Sequence, residues 1–258
     1  MMASDISPRA EISPKAKIGN NCKIYPFVYI EDDVEIGDGC IIFPFVSILN
    51  GTRMGNRNKV HQGAVIAALP QDFEFKGEKS EVVIGDCNVI RENVVINRGT
   101  HAGGQTVVGD HNFLMEGVHI LHDTKVGSHC VFGYGTKIAG NCEIGNGAIL
   151  TSAVLQLPET RVGDYAMVTS GSIFNKDVPP YVMAGGNPIL FNGINTPMCK
   201  TIGIDDKVIK HIANAYRLVF RGKVSLFDAV LQIKEQVPDS PEIQKIIQFL
   251  ENSEKGVI

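Results

Sequence analysis

The sequence predicts a mainly β fold: a parallel β-helix of hexapeptide repeats followed by a C-terminal α-helical domain. Three observations carry this. Aliphatic residues recur at nearly every sixth position through the first 174 residues, a set of glycines recurs every 18, and beyond Asn187 the spacing becomes that of amphipathic helices. A strand alternates faces every two residues and an α-helix turns every 3.6, so neither alone yields six. A short strand followed by a bend does. Three of them close a triangular coil of 18 residues, each strand aiming one aliphatic side chain at the axis.

The run opens at Ile12, Ile18, Ile24, Ile30 and Ile36, and continues through Ile42, Ile48, Met54 and Val60 to Ile66. It resumes at Ile84, Ile90 and Ile96, and again from Val108 to Leu150, with Val162, Val168 and Phe174 closing it. The chain is 44% hydrophobic. At that frequency the two longest runs together have chance odds on the order of 10⁻⁷. Glycine follows the inward residue at Gly19, Gly37 and Gly55, then at Gly109, Gly127, Gly145 and Gly163. It is expected there for a bend with positive φ or for close backbone approach. The position two before each inward residue has room for modest volume, so Cys22, Cys40, Cys130 and Cys142 read as buried small hydrophobes.

Two insertions interrupt the register. Gly55 to Gly85 spans 30 residues, so the loop at 67–83 adds 12; Gly85 to Gly109 spans 24, so the glycine-rich loop at 99–106 adds six. Loops thrown out of a rigid solenoid tend to carry specificity. The segment Gln156 to Thr160 (QLPET) reads as a bulge or a loosened corner.

The β-helix is assigned to residues 1–186 and the helical domain to 187–258. Val208, Ile212, Ala215 and Val219 form one helical stripe. Ser225 caps a second helix bearing Leu226, Ala229, Val230 and Ile233. Ser240-Pro241-Glu242 starts a third, with Ile243, Ile246, Ile247 and Leu250 along it. So short a set of helices scarcely buries its own core, and it is expected to pack on the open end of the solenoid or on a neighbouring chain.

A net charge of −4 gives no support to nucleic-acid binding. With no apolar run long enough to span a bilayer and no basic-then-apolar leader, a soluble cytoplasmic protein without membrane insertion is expected. Six cysteines without a CxxC pair fit a reducing compartment and indicate neither a disulfide framework nor a zinc ribbon.

The segment LMEGVHILHDTKVG (114–127) carries the chemistry. His119 and His122 flank the inward Ile120 and face outward, and Asp123 follows directly. An imidazole beside a carboxylate is a natural general base near neutral pH. Two ordinary surface histidines are the bland alternative. A zinc site shared between subunits, as in hexapeptide-repeat carbonic anhydrases, would recruit from His61, His119, His122 and His129, but the His-x4-His pair that such a site needs is absent. No metal or cofactor is expected.

The ordered motifs "QDF", "IRENVVINRGTHAGG", "NFLMEGVHILHD", "KDVPPYVMAGGNP" and "NAYRLVFR" resemble the acyl-carrier-protein-dependent UDP-N-acetylglucosamine O-acyltransferases over essentially the whole chain. The resemblance implies a left-handed β-helix and a homotrimer with active sites in the clefts between subunits. It implies transfer of a 3-hydroxyacyl chain from acyl carrier protein to the sugar 3-hydroxyl, the first step of lipid A biosynthesis. His122 matches the general base, Asp123 the carboxylate that supports it, and Gly140 the glycine whose N–H faces the oxyanion. Gln71, Asp72, His119 and Asn195 match positions that bind the nucleotide sugar, and Met167 and Ser170 line the acyl groove.

Departures from the family pattern cluster on acceptor recognition: Glu74, Asn141, Leu157, Pro158, Pro197 and Thr201-Ile202. They leave the acyl-transfer residues intact and open two alternatives, N-acylation of an amino-sugar nucleotide or a paralogue that binds without turnover. Lys76, Arg53 and Lys200 are the cations placed to replace a lost diphosphate contact. Acyl carrier protein is acidic, so a basic face is expected to receive it: Lys200, Lys207, Lys210, Arg217, Arg221 and Lys223.

Overall fold

A computed structural model describes residues 4–222 and 224–258; Lys223 of the expected basic face lies outside the described residues. Short parallel strands stack into three sheets. The first face begins with Asp5–Ile6, Lys23–Ile24 and Ile41–Ile42, the second with Glu11–Ile12 and Tyr29–Ile30, and the third with Lys17–Ile18 and Val34–Ile36. Equivalent residues of successive coils pair in register, as in Ile24, Ile42, Val60, Ile90 and Leu114. These side chains are buried in one continuous aliphatic core, so the period of six is the period at which the chain returns to the axis.

The glycine row is required by close approach alone. A Cβ on Gly85 would meet the Gly109 carbonyl oxygen at 3.0 Å, and the Asp110 carboxylate closer still. That carboxylate accepts the Asp86 N–H at 2.6 Å. The positive φ falls two residues later, at Asn21, Gly39, Arg57 and Cys87. Cys22, Cys40, Cys130 and Cys142 are buried at their corner slots. In the first-face row of Cys22, Cys40 and Cys130 stand Asn58, Asn88 and Asn112, which the hydrophobic pattern did not reveal. Asn58 Oδ1 accepts the Asn88 N–H at 2.8 Å, Asn88 Oδ1 accepts the Asn112 N–H at 2.8 Å, and Asn112 Oδ1 accepts the Cys130 N–H at 2.7 Å. Buried amides persist here because each is paired along the ladder.

Both loops are shorter than the sequence suggests. Strands reach Ala68, restart at Glu81 and run over Gln105–Val108, leaving excursions at 69–80 and 98–104. The strands extend because Val82 and Thr106 fill inward slots, and Glu81 to Ile84 pair with Gln105 to Val108 without a break. Nor does QLPET loosen the corner. Gln156 points inward, is fully buried, pairs in register with Ile138 and Phe174, and donates to the Thr160 carbonyl at 2.9 Å.

Past the last coil, Val182–Gly185 and Leu190–Ile194 form an antiparallel hairpin on the first face. Among the described residues four helices follow: α1 (Thr196–Thr201), α2 (Asp206–Arg221), α3 (Leu226–Gln236) and α4 (Pro241–Glu251). The short α1 is additional to the three expected. Ser225 and Ser240 cap α3 and α4 as their side-chain oxygens predict. The helices dock on the end of the solenoid. The fully buried Tyr216 of α2 donates to the Pro180 carbonyl at 2.6 Å, and Arg161 lies over the Phe249 ring of α4 at 4.2 Å. Among the described residues, no helix is long and apolar enough to cross a membrane.

Candidate active site

Both loops leave the corner between the second and third faces, and His122 and Asp123 occupy the same corner one coil later. His122 is not an open surface histidine: it is 7% exposed. Its Nδ1 lies 3.0 Å from Asp123 Oδ2, and its Nε2 lies 3.5 Å from Asp72 Oδ2 of the first loop. Beneath it is Gly140. A Cβ there would come within 2.9 Å of the His122 Nδ1 and closer to the other ring atoms, so the imidazole lies against bare backbone. The coil length explains the pair, because one turn separates residues 122 and 140.

The second loop holds Asp123. Thr100 donates to Asp123 Oδ2 from its N–H at 3.0 Å and its hydroxyl at 2.7 Å. The Asp123 N–H, on a residue with φ of 57°, donates to Thr106 Oγ1 at 2.9 Å. Burial pushes this carboxyl upward, but the donors from Thr100 and His122 outweigh it and hold it below the usual carboxylate range. An ionised carboxylate only accepts. His122 therefore donates from Nδ1 to Asp123 Oδ2, and its Nε2 is the ring nitrogen on the side of Asp72.

His119, half-buried on the second face, lies 2.6 Å through Nε2 from Asn97 Oδ1, while Asn97 Nδ2 donates to the Leu69 carbonyl at 2.6 Å. Burial, with Lys137 nearby, lowers the His119 pKa and favours the neutral ring. Asp72 Oδ1 accepts the Glu74 N–H at 2.8 Å, which turns the loop so that Oδ2 faces His122. Gln71 is exposed beside it.

The remaining sites predicted from sequence lie elsewhere on the chain. Met167 is on the first face and Ser170 at the corner between the first and second faces. Asn195 is 3% exposed; it caps α1 and donates to the Tyr165 carbonyl at 2.9 Å. Of the substitute cations, Arg53 is paired with Asp33 at 2.7 Å and Glu81 at 3.2 Å, and Lys200 with Asp206 at 3.4 Å. Lys76 is exposed. His61, His119, His122 and His129 are spread around the prism; among the described residues no group of three His, Cys, Asp or Glu side chains is arranged to hold a metal. Sequence reasoning missed Thr100, Thr106 and Asn97. Asn97 and Thr100 lie in the IRENVVINRGTHAGG motif, which carried the resemblance but assigned neither a role, and Thr106 had no signal.

Comparisons with known proteins point one way. A family model described as Udp N-acetylglucosamine O-acyltransferase, Domain 2, matches residues 177–258, and a bacterial transferase hexapeptide model matches 15–42 and 105–140. An acyl-[acyl-carrier-protein]–UDP-N-acetylglucosamine O-acyltransferase of Halorhodospira halophila is 39% identical over 98% of each chain. One of Pseudomonas entomophila is 37% identical over 98% of this chain and 99% of its own. Among solved structures, LpxA of Bacteroides fragilis, a UDP-N-acetylglucosamine acyltransferase, superposes with a TM-score of 0.96 at 49% identity, covering 98% of this chain and 99% of the other. LpxA of Acinetobacter baumannii superposes with a TM-score of 0.96 at 35% identity, over 99% of this chain and 100% of the other.

Proposed function

The chain belongs to the acyl-[acyl-carrier-protein]–UDP-N-acetylglucosamine O-acyltransferase family, with its left-handed parallel β-helix, and from that premise we propose how its residues carry the reaction. It transfers an acyl chain from acyl carrier protein to UDP-N-acetylglucosamine in lipid A synthesis; the reacting oxygen is the sugar 3-hydroxyl and the chain a 3-hydroxyacyl group. The observation that carries the mechanism is His122, held on bare Gly140 backbone between two carboxylates. Its Nε2 takes the hydroxyl proton as the oxygen attacks the thioester carbonyl. Asp123 keeps the ring in the productive tautomer, and both carboxylates stabilise the imidazolium. Among the described residues the Gly140 N–H donates to no group of the chain, which leaves it available to the tetrahedral oxyanion. Collapse breaks the carbon–sulfur bond, and the departing thiolate recovers the proton from His122.

The site is completed in a homotrimer. The outer side of the first face is an apolar stripe, Val89, Phe113, Val131, Ile149, Met167 and Met183, all partly covered. The third face instead shows Lys125, Glu143 and Arg161 in register. Self-association through the apolar side closes most simply with threefold symmetry, and it sets Met167, Ser170 and the Asn195 turn of one subunit beside the His122 corner of the next. Exposed Lys207, Lys210, Arg217 and Arg221 on α2 form the dock for the acidic carrier protein. Lys76 is the cation left to meet the diphosphate. We divide the chain into the β-helix, 1–186, and the helical domain, 187–258. We place the protein in the cytoplasm, a compartment with which the free cysteines agree.

The test incubates the purified chain with labelled UDP-N-acetylglucosamine and 3-hydroxyacyl carrier protein. An ester product that vanishes in His122→Ala, with the assembly intact, is expected. Unchanged turnover in that variant removes His122 as the base, and an amide product formed only from an amino-sugar nucleotide replaces the acceptor.

A further inference from the structure

We infer that Thr100 is a positioning residue of the acyl transfer, acting on His122 through Asp123; the inference rests on the reading of His122 as the base. Thr100 is 6% exposed and gives both its N–H and its hydroxyl to one oxygen, Asp123 Oδ2, the same oxygen that faces His122 Nδ1. Three donors on a single carboxylate oxygen fix its direction and set how much negative charge it shows to the imidazole.

The second loop is shaped around this clamp. A Cβ on Gly99 would stand 2.7 Å from Asp123 Oδ1, and one on Gly104 would stand 2.9 Å from it, so two glycines let the loop close over the carboxylate. The Gly104 carbonyl accepts the Glu81 N–H at 2.9 Å, and the Gly103 N–H donates to the Lys79 carbonyl at 2.8 Å. Those bonds tie the second loop to the returning end of the first. Thr100 Oγ1 also lies 2.9 Å from His101 Nδ1. The hydroxyl proton must go to Asp123, which only accepts, so His101 Nδ1–H donates to the hydroxyl and fixes its rotor. The charged and titratable groups facing the pair are Asp72, 3.5 Å from His122 Nε2, and His101, whose Nε2 is 4.0 Å from Asp123 Oδ1; Glu78 interacts electrostatically with His101.

Thr100→Val keeps the shape and the N–H but removes the hydroxyl. The less hydrogen-bonded Asp123 then shows more charge and favours the imidazolium, so His122 becomes harder to deprotonate. The acid limb of kcat/KM is expected to move to higher pH. The turnover number is expected to fall about tenfold, the rate equivalent of one hydrogen bond to a charged group. KM for both substrates stays within about twofold, because the nearly buried Thr100 spends its N–H and hydroxyl on Asp123 and His101. Thr100→Ser restores the wild-type profile. Should Thr100→Val not fold, Thr100→Ala removes the same donor with less bulk and is read the same way.

His122→Ala is measured alongside. If it abolishes turnover while the Thr100 variants leave kcat and the acid limb at wild-type values, the positioning role is wrong and the base stands. A fall in melting temperature without movement of the acid limb also overturns the inference, because that is the mark of a structural contact alone. If His122→Ala remains active, the base reading fails first.

Discussion

Gly140→Ala isolates the geometry of the base. Gly140 does not adopt a left-handed φ, so alanine fits its backbone without strain, and the added Cβ acts only on what lies above it. That atom would stand 2.9 Å from His122 Nδ1 and nearer the other ring atoms, whereas carbon contacts settle near roughly 3.5 Å. The ring must therefore recede by roughly 1 Å. It can do so only by lengthening the 3.0 Å bond to Asp123 or pressing towards Asp72. A misplacement of about 1 Å costs about a hundredfold in rate, equivalent to about 2.7 kcal/mol in the barrier. Overpacking costs about 1–3 kcal/mol of stability, too little to unfold a well-packed solenoid at 25 °C. Steady-state turnover with UDP-N-acetylglucosamine and 3-hydroxyacyl carrier protein, beside a thermal melt, reads both quantities. A folded Gly140→Ala variant with kcat within twofold of wild type refutes the argument, because the ring would then not depend on bare backbone beneath it.

Asn88→Leu takes the acceptor from the buried Asn112 N–H and removes one of two donors to Asn58 Oδ1, whose bond from the backbone N–H of residue 88 survives, and should cost about 1–3 kcal/mol for the one unsatisfied group; a urea midpoint within error of wild type contradicts the ladder's role. Gly85→Ala, which crowds Gly109 and Asp110, should destabilise by about 1–3 kcal/mol, whereas Gly135→Asn, at φ of 67° with open space around it, should stay within about 1 kcal/mol. Equal losses would show that the two glycine rows do not differ in kind. Burial lowers the pKa of His61 and of His119. The unfolded chain therefore binds more protons as pH falls through about 6.5, and folded stability declines as pH falls below about 7. His119→Gln should flatten part of that decline in denaturation midpoints taken at each pH; a parallel decline assigns the dependence elsewhere.

The period of six established the inward stack from Ile12 to Phe174, and Ser225 and Ser240 marked helix starts, because both are local patterns whose meaning survives without knowing the neighbours. The coil length even implied that Gly140 lies under His122, since residues one turn apart stack. Two kinds of feature escaped. The buried asparagines and the inward Gln156 look like interruptions in a hydrophobic pattern until their partners on adjacent coils are known. The loops have no period at all, so nothing local told that Asp72 would return to face Nε2 or that Thr100 would clamp Asp123. Repetition along the chain determined the prism and the place of the imidazole on its corner. The tertiary structure alone decided its surroundings, because a carboxylate's direction and charge are set by donors brought from distant segments.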